Sequence, residues 1–274
     1  MSKKMDFIPH IENYDQIRQM MRDDLAYRLE NRRARTDWGR PLYLRINVQL
    51  IMTHECPFAC PFCLERQNPM EGDQDFPAQL ASLVEVLAQH PQARLTVTGG
   101  EPGLYPEQVR RIERIYRAMA DGVFLSVNTA GIEPAVAEAA HVNLSSNDYV
   151  EPNARDFPGC TLQTVLDDEH MTLDGIRDFI GAHPEANGFS FRFLSGLERH
   201  DYPVDIWHDL ERDPEFRIGT FRVGDFFVYA TFDYKGRHGR VTLGDMYQQR
   251  RNDYRDGYSN IIIHPDGHVA TNWR

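Results

Sequence analysis

The sequence predicts an α/β protein built from parallel strand and helix units, and three observations carry that expectation. From Tyr43 onward short apolar segments alternate with helical patterns, as crossover connections between parallel strands require. The two most distinctive motifs, Cys56-Pro-Phe-Ala-Cys60-Pro-Phe-Cys63 and Thr98-Gly99-Gly100-Glu101-Pro102, each follow a strand-like segment. In such folds ligands gather on the loops at the carboxyl ends of the strands. After about Glu198 the helices give way to aromatic strand segments. Periodicity by itself leaves a barrel and a doubly wound sheet both open.

Taken in order, residues 13–35 read as a helix, with Ile17, Met21, Leu25 and Leu29 at four-residue steps and Asn13 placed to start it. Its basic end, Arg32-Arg33-Ala34-Arg35, suits the negative end of the helix dipole and receives no function. Strands are expected at Leu44–Met52, Arg94–Thr98, Val123–Asn128, His141–Ser145, Thr161–Val165 and Phe189–Leu194. Helical patterns lie between them at Ala78–Gln89, Pro106–Met119, Pro134–Ala140 and Leu173–Ala182. Beyond Glu198, strands are expected at Phe226–Tyr234 and Val241–Leu243, joined by a hairpin in the glycine-containing link Lys235–Arg240. A last strand, Asn260–His264, turns at Pro265-Asp266-Gly267. The expected boundaries are an N-terminal helical extension (1–40), a core (41–197) and a C-terminal β-rich segment (198–274).

Composition bounds the function. Hydrophobic residues at 41% and charged residues at 26% describe an ordinary globular protein rather than a disordered one. A formal net charge of −11 argues against nonspecific nucleic-acid binding, which needs a basic surface. No run of 18 apolar residues and no apolar N-terminal segment occur, so the sequence predicts no membrane span or signal peptide and a cytoplasmic location.

The cysteines are the sharpest feature. Three of the four fall within eight residues of a chain without a secretion signal, which favours metal binding over disulfides. Three thiolates offered to a four-iron cube leave one iron without a protein ligand, free to take a small molecule. Zinc is the alternative, with His54 or Cys160 as a fourth ligand in a non-enzymatic interaction module. It is disfavoured because structural zinc sites usually pair two short hooks and only one is evident.

The cysteine triplet and the Gly-Gly-Glu-Pro segment, in this order and at this separation, resemble the radical S-adenosylmethionine (SAM) superfamily over roughly residues 43–194. The resemblance implies a partial (β/α)6 barrel with an N-terminal helix and a small C-terminal β-rich cap. It implies that Cys56, Cys60 and Cys63 bind a 4Fe-4S cluster whose open iron is chelated by SAM. Reductive cleavage of SAM then yields a 5'-deoxyadenosyl radical that abstracts hydrogen from substrate, with an electron donor such as flavodoxin or ferredoxin.

Further site residues follow from the same resemblance. Phe62 matches an aromatic position that contacts adenine. Gly99, Gly100, Glu101 and Pro102 match the loop that meets the methionine ammonium. In Ser126-Val127-Asn128-Thr129-Ala130-Gly131, Ala130 replaces a common asparagine, leaving Ser126 or Asn128 to meet the ribose. Ser145 matches a serine that meets SAM, and Arg192 has the planar fork to pair with its carboxylate.

The substrate is less legible. Without an evident peptide-recognition domain, the sequence points first to a small molecule, anionic or nucleotide-like. The C-terminal Ile262-Ile263-His264-Pro265-Asp266-Gly267 resembles the opening of a cysteine-bearing extension in peptide-modifying members, which makes a ribosomally made peptide the alternative. Here no cysteine follows, so no auxiliary cluster is expected. Asn272 or Trp273 could face substrate, and the Lys235–Arg240 link could hold an anion.

Overall fold

The computed structural model describes residues 8–20, 22–23, 46–63, 73–121, 124–166, 170–193, 202–223, 227–244 and 260–270. Residues 24–35, Phe226, Asn272 and Trp273, named above, lie outside them. In chain order the strands are β1 (Asn47–Ile51), β2 (Arg94–Thr98), β3 (Leu125–Thr129), β4 (His141–Ser145), β5 (Thr161–Leu166) and β6 (Gly188–Phe193). They continue with β7 (Phe216–Val223), β8 (Phe227–Tyr234), β9 (Arg237–Gly244), β10 (Asn260–Ile263) and β11 (Val269–Ala270). The α-helices are α1 (Phe76–Gln89), α2 (Pro106–Met119), α3 (Leu173–Ala182) and α4 (Ile206–Arg212), and residues 14–20 and 22–23 are also helical.

The chain divides into two compact units, each assembled from two separate stretches of sequence. The cysteine unit comprises Tyr43–Leu162 and Gln249–Arg274. The hairpin unit comprises Met1–Leu42 and Gln163–Gln248.

In the cysteine unit β1, β2, β3 and β4 pair side by side, all parallel. β10 joins the free side of β1, also parallel, with Asn47 opposite Asn260, and β11 runs antiparallel outside it. Helices cross between the strands for local reasons. α1 starts where the Asp75 carboxylate accepts the Ala78 N–H at 3.0 Å, and Pro77 suits a first turn that needs no donor. α2 buries Val109, Ile112 and Tyr116 along one stripe, each worth about 1.5–3 kcal/mol when removed from water. The Pro134–Ala140 pattern, expected as an α-helix, forms a 3-10 turn over Pro134–Glu138.

Strand faces in this unit differ sharply. Val48, Leu50, Leu95, Val97, Leu125, Val127, Val142 and Leu144 alternate onto one buried face. The opposite face carries Gln49, Thr96, Thr98, Ser126, Asn128, Asn143 and Ser145. A sheet covered by helices on both sides would be apolar on both, so this alternation is the signature of a sheet with a polar inner face.

In the hairpin unit β6 pairs parallel with β9, which pairs antiparallel with β8, which pairs antiparallel with β7. Phe189, Phe191, Phe193, Val228, Ala230, Phe232, Val241 and Leu243 form its buried face. Phe179 of α3 sits edge-on to Phe189 and Phe191, and fully buried Trp207 of α4 donates to the Val241 carbonyl at 3.3 Å. The N-terminal segment docks here: Ile8, Ile11 and Ile17 are buried, and the Ile11 N–H donates to His208 Nε2 at 3.3 Å.

The β8–β9 connection is tighter than the sequence suggests. Lys235 and Gly236 alone form the turn, both with positive φ, the geometry of a two-residue hairpin. Gly239 is instead a strand residue beneath the Phe232 ring, where a β-carbon would lie 2.2 Å from the ring edge. Arg237, expected in a basic turn open to anions, donates to the carbonyls of Ile180, His183 and Pro184. It caps the end of α3.

The C-terminal segment 198–274, expected as one β-rich cap, is therefore divided. β7 to β9 extend β6, whereas β10 and β11 extend β1. Unit borders fall at 42/43, 162/163 and 248/249, and these two pairings place the halves of the segment in different units.

Candidate cofactor site

Parallel pairing sets the carboxyl ends of β1 to β4 along one edge; the cysteine and Gly-Gly-Glu-Pro motifs follow the ends of β1 and β2, Ser126 and Asn128 lie within β3, and Ser145 ends β4. The loop after β1 carries Cys56, which is exposed, and Cys60 and Cys63, which are half-buried; none is in a disulfide. A turn closes its end, the Cys63 N–H donating to the Cys60 carbonyl at 3.2 Å.

The loop after β2 is locked onto it. The Glu101 N–H donates to the Glu55 carbonyl at 2.7 Å, and the Tyr105 hydroxyl donates to the Glu55 carboxylate at 2.8 Å. Gly100, with φ +30°, lies so close that a β-carbon would stand 2.2 Å from the Glu55 carbonyl oxygen. Only glycine permits that approach. Pro102, buried, begins the 3-10 turn that follows.

Glu101 joins a third loop. Its side chain is 1% exposed and accepts from the Gly103 N–H at 2.7 Å, the Ala130 N–H at 2.6 Å and the Thr129 hydroxyl. Burial pushes its carboxyl up, opposed by the hydrogen bonds from Thr129, Ala130 and Gly103. One of about four lone-pair sites of a carboxylate is left over. Glu101→Gln sets an amide N–H against a backbone N–H, a buried mismatch costing about 1–3 kcal/mol. The expected result is a lower denaturation midpoint in urea, with the same far-UV circular dichroism.

On the polar face, Ser126 is 3% exposed and lies 3.0 Å from the Thr96 hydroxyl. Asn128, half-buried and nearer the loop edge, donates to Thr98 at 3.3 Å and accepts from Asn143 at 2.9 Å. Ser145 is half-buried at the end of β4. Phe62 sits edge-on to Tyr149, ring centroids 6.1 Å apart.

A family model described as the radical SAM superfamily matches residues 50–186. The span begins inside β1 and takes in all of these loops. The chain belongs to the radical SAM superfamily. No curated protein matches it.

Among solved structures this radical SAM protein is similar to Streptococcus suis SuiB bound to its precursor peptide SuiA, with 12% identity and a TM-score of 0.51 over 87% of this chain and 61% of that one. SuiB bound to S-adenosylmethionine is similar at 12% identity, TM-score 0.49, over 82% and 60%. A histidine-tagged anSMEcpe with bound AdoMet is similar at 13% identity, TM-score 0.46, over 56% and 52%. The chain thus spans about three fifths or less of the length of these proteins. At such identities the likeness to SuiB with its peptide concerns the fold alone.

The donor set of this radical SAM protein is three thiols on one loop. Among the described residues no three His, Cys, Asp or Glu side chains are grouped closely enough to hold one metal ion. Thiolates that share a four-iron cube need not converge on one point, since each binds a different iron. Arg192 belongs to the hairpin unit, on β6.

Two residues near or beyond these motifs need the structure to place them: His264 carries no site role in the sequence, and Arg240 appears there only as the end of the Lys235–Arg240 link that could hold an anion. His264, after β10, is 1% exposed, and neither ring nitrogen is hydrogen-bonded among the described residues. Burial first, then the charge of His268, lowers its pKa to about 4, so it is a neutral imidazole. Arg240 on β9 is the other, paired with Ser190 at 2.9 Å. No signal short of the strand register could have placed it beside β6. Among the described residues no helix is long and apolar enough to cross a membrane.

Proposed function

We propose that this chain is an enzyme that reductively cleaves SAM at a 4Fe-4S cluster held by Cys56, Cys60 and Cys63. The observation that carries the reading is the tie between two motif loops: the Glu101 N–H on the Glu55 carbonyl and the glycine contact beside it. When bound, the cluster and SAM supply a one-electron cleavage whose 5'-deoxyadenosyl radical removes hydrogen from substrate.

The chain's own residues position and shield. Gly99 and Gly100 let the backbone approach the ligand, and Glu101 fixes three loops at once while keeping one acceptor site for the methionine ammonium. Between Ser126 and Asn128 support goes to Asn128 for the ribose, because Ser126 is buried whereas Asn128 is half-buried and keeps one amide hydrogen and one lone pair beyond its bonds to Thr98 and Asn143. Phe62 offers its ring to adenine, and Ser145 a hydroxyl from the neighbouring strand end. Pro57 and Pro61 stiffen the cysteine loop. The site is cytoplasmic and draws its electron from a flavodoxin- or ferredoxin-type reductant.

A small molecule, anionic or nucleotide-like, is the leading substrate class, and the likeness in fold to SuiB holding its precursor peptide supports a peptide as the second. The test is anaerobic reconstitution with iron and sulfide, then reduction with SAM present. About four irons per chain and formation of 5'-deoxyadenosine are expected. Stoichiometric zinc with intact SAM would instead identify an interaction module.

A further inference from the structure

Two arginines that the family motifs do not absorb as a pair lie together in the hairpin unit. The register sets Ser190 of β6 opposite Arg240 of β9, and Arg192 opposite Thr242. β8 continues the rows with Thr231 opposite Arg240 and Tyr229 opposite Thr242. β7 ends them with Thr220 opposite Thr231 and Arg222 opposite Tyr229. One face of this sheet therefore carries Arg192, Arg240 and Arg222 among five hydroxyl side chains.

Among the described residues neither Arg192 nor Arg240 has a carboxylate partner, and the nearest acid on this face, Asp233, is one row further toward the turn and engaged with Arg217 and His238. Loss of hydration, then the charge of Arg240, lowers the pKa of Arg192 to about 10, although solvent still reaches the side chain. Arg240 is likewise lowered by burial.

Holding like charges together is unfavourable, and on a chain of net charge −11 the two rows that hold Arg240 and Arg192 carry no acid among the described residues. Planar guanidinium forks match carboxylate and phosphate oxygens in pairs. We propose that the Arg192–Arg240 face of β6 and β9 is an anion subsite for a carboxylate or phosphate group. The SAM carboxylate, one source of the same chemistry, carries a single charge against the two guanidiniums.

The experiment maps phenylglyoxal modification of Arg192 and Arg240 by mass spectrometry in the reconstituted full chain, in phosphate-free buffer. Pyrophosphate should slow modification of both by about tenfold or more, the factor expected of charge-assisted hydrogen bonds, and should still do so at saturating SAM. Arg240→Gln should weaken pyrophosphate protection of Arg192 about tenfold, and Arg240→Lys should restore part of it, which separates anion binding from a folding defect. Absence of pyrophosphate protection, or protection by SAM that excludes pyrophosphate, overturns the proposal. Failure of the radical SAM reading would show separately, as absence of 5'-deoxyadenosine from the same wild-type preparation.

Discussion

Cys60→Ala is expected to remove both iron binding and SAM cleavage while leaving the fold intact. The backbone turn at this position depends on the Cys60 carbonyl, which accepts the Cys63 N–H, and alanine retains that carbonyl. What disappears is one of three thiolates. Two remaining ligands cannot hold a cube that already has an open corner, so iron should fall from about four per chain to near zero after desalting. 5'-Deoxyadenosine should become undetectable. Cys160→Ala, which removes a thiol buried at 2% exposure, should leave iron content unchanged. A Cys60 variant that keeps both cluster and cleavage would show that the ligands are others, and iron loss in the Cys160 variant would revive four-ligand zinc-type binding.

Gly100→Ala should be the most damaging single methyl in the cysteine unit. A β-carbon there meets the carbonyl oxygens of Glu55 at 2.2 Å and Thr53 at 2.7 Å, both backbone atoms that no rotamer change can move aside. Left-handed backbone adds about 1–2 kcal/mol to an overpacking cost of about 1–3 kcal/mol. The strain falls on the segment that leads into Cys56 and on the Glu101 to Glu55 hydrogen bond. Urea unfolding should report a loss of about 2–5 kcal/mol, together with weaker SAM binding by the reconstituted protein. Gly181→Ala, on an exposed helical position where nothing lies within 4 Å, should instead be neutral or stabilising by up to about 1 kcal/mol. Equal behaviour of the two variants would refute the close-packing account.

Much of this was legible from residues alone because the strong signals are local. Arg94–Thr98 and His141–Ser145 form strands at the expected bounds, each an alternating run with turn chemistry beside it. β7 escapes such a reading: Phe-Arg-Ile-Gly-Thr-Phe-Arg-Val alternates, but an internal glycine and two arginines dilute its strand character, and its pairing with β8 shifts register between Ile218 and Thr220. α4, seven residues long, is too short for a helical period to show.

The choice between architectures was also written in the sequence, in a place that the search for apolar runs overlooks. Thr96 and Thr98, Ser126 and Asn128, Asn143 and Ser145 alternate with aliphatic residues, and a sheet wrapped by helices on both faces has no use for such polar rungs. Glu101 illustrates the opposite limit. Its motif identifies the residue, but only the fold reveals that its carboxylate is shared among Gly103, Thr129 and Ala130.

The parallel pairing of β10 with β1 dictates when the protein can mature. Two strands separated by roughly two hundred residues must meet before the strand leading into the thiol loop has both neighbours, and so distant an encounter is slow to close. Until Ile263 has left the ribosome, the strand leading into Cys56, Cys60 and Cys63 lacks one neighbour. Completion of the sheet beside that loop is thereby a late event in the life of each molecule, reserved for chains whose synthesis has already passed that distant partner strand.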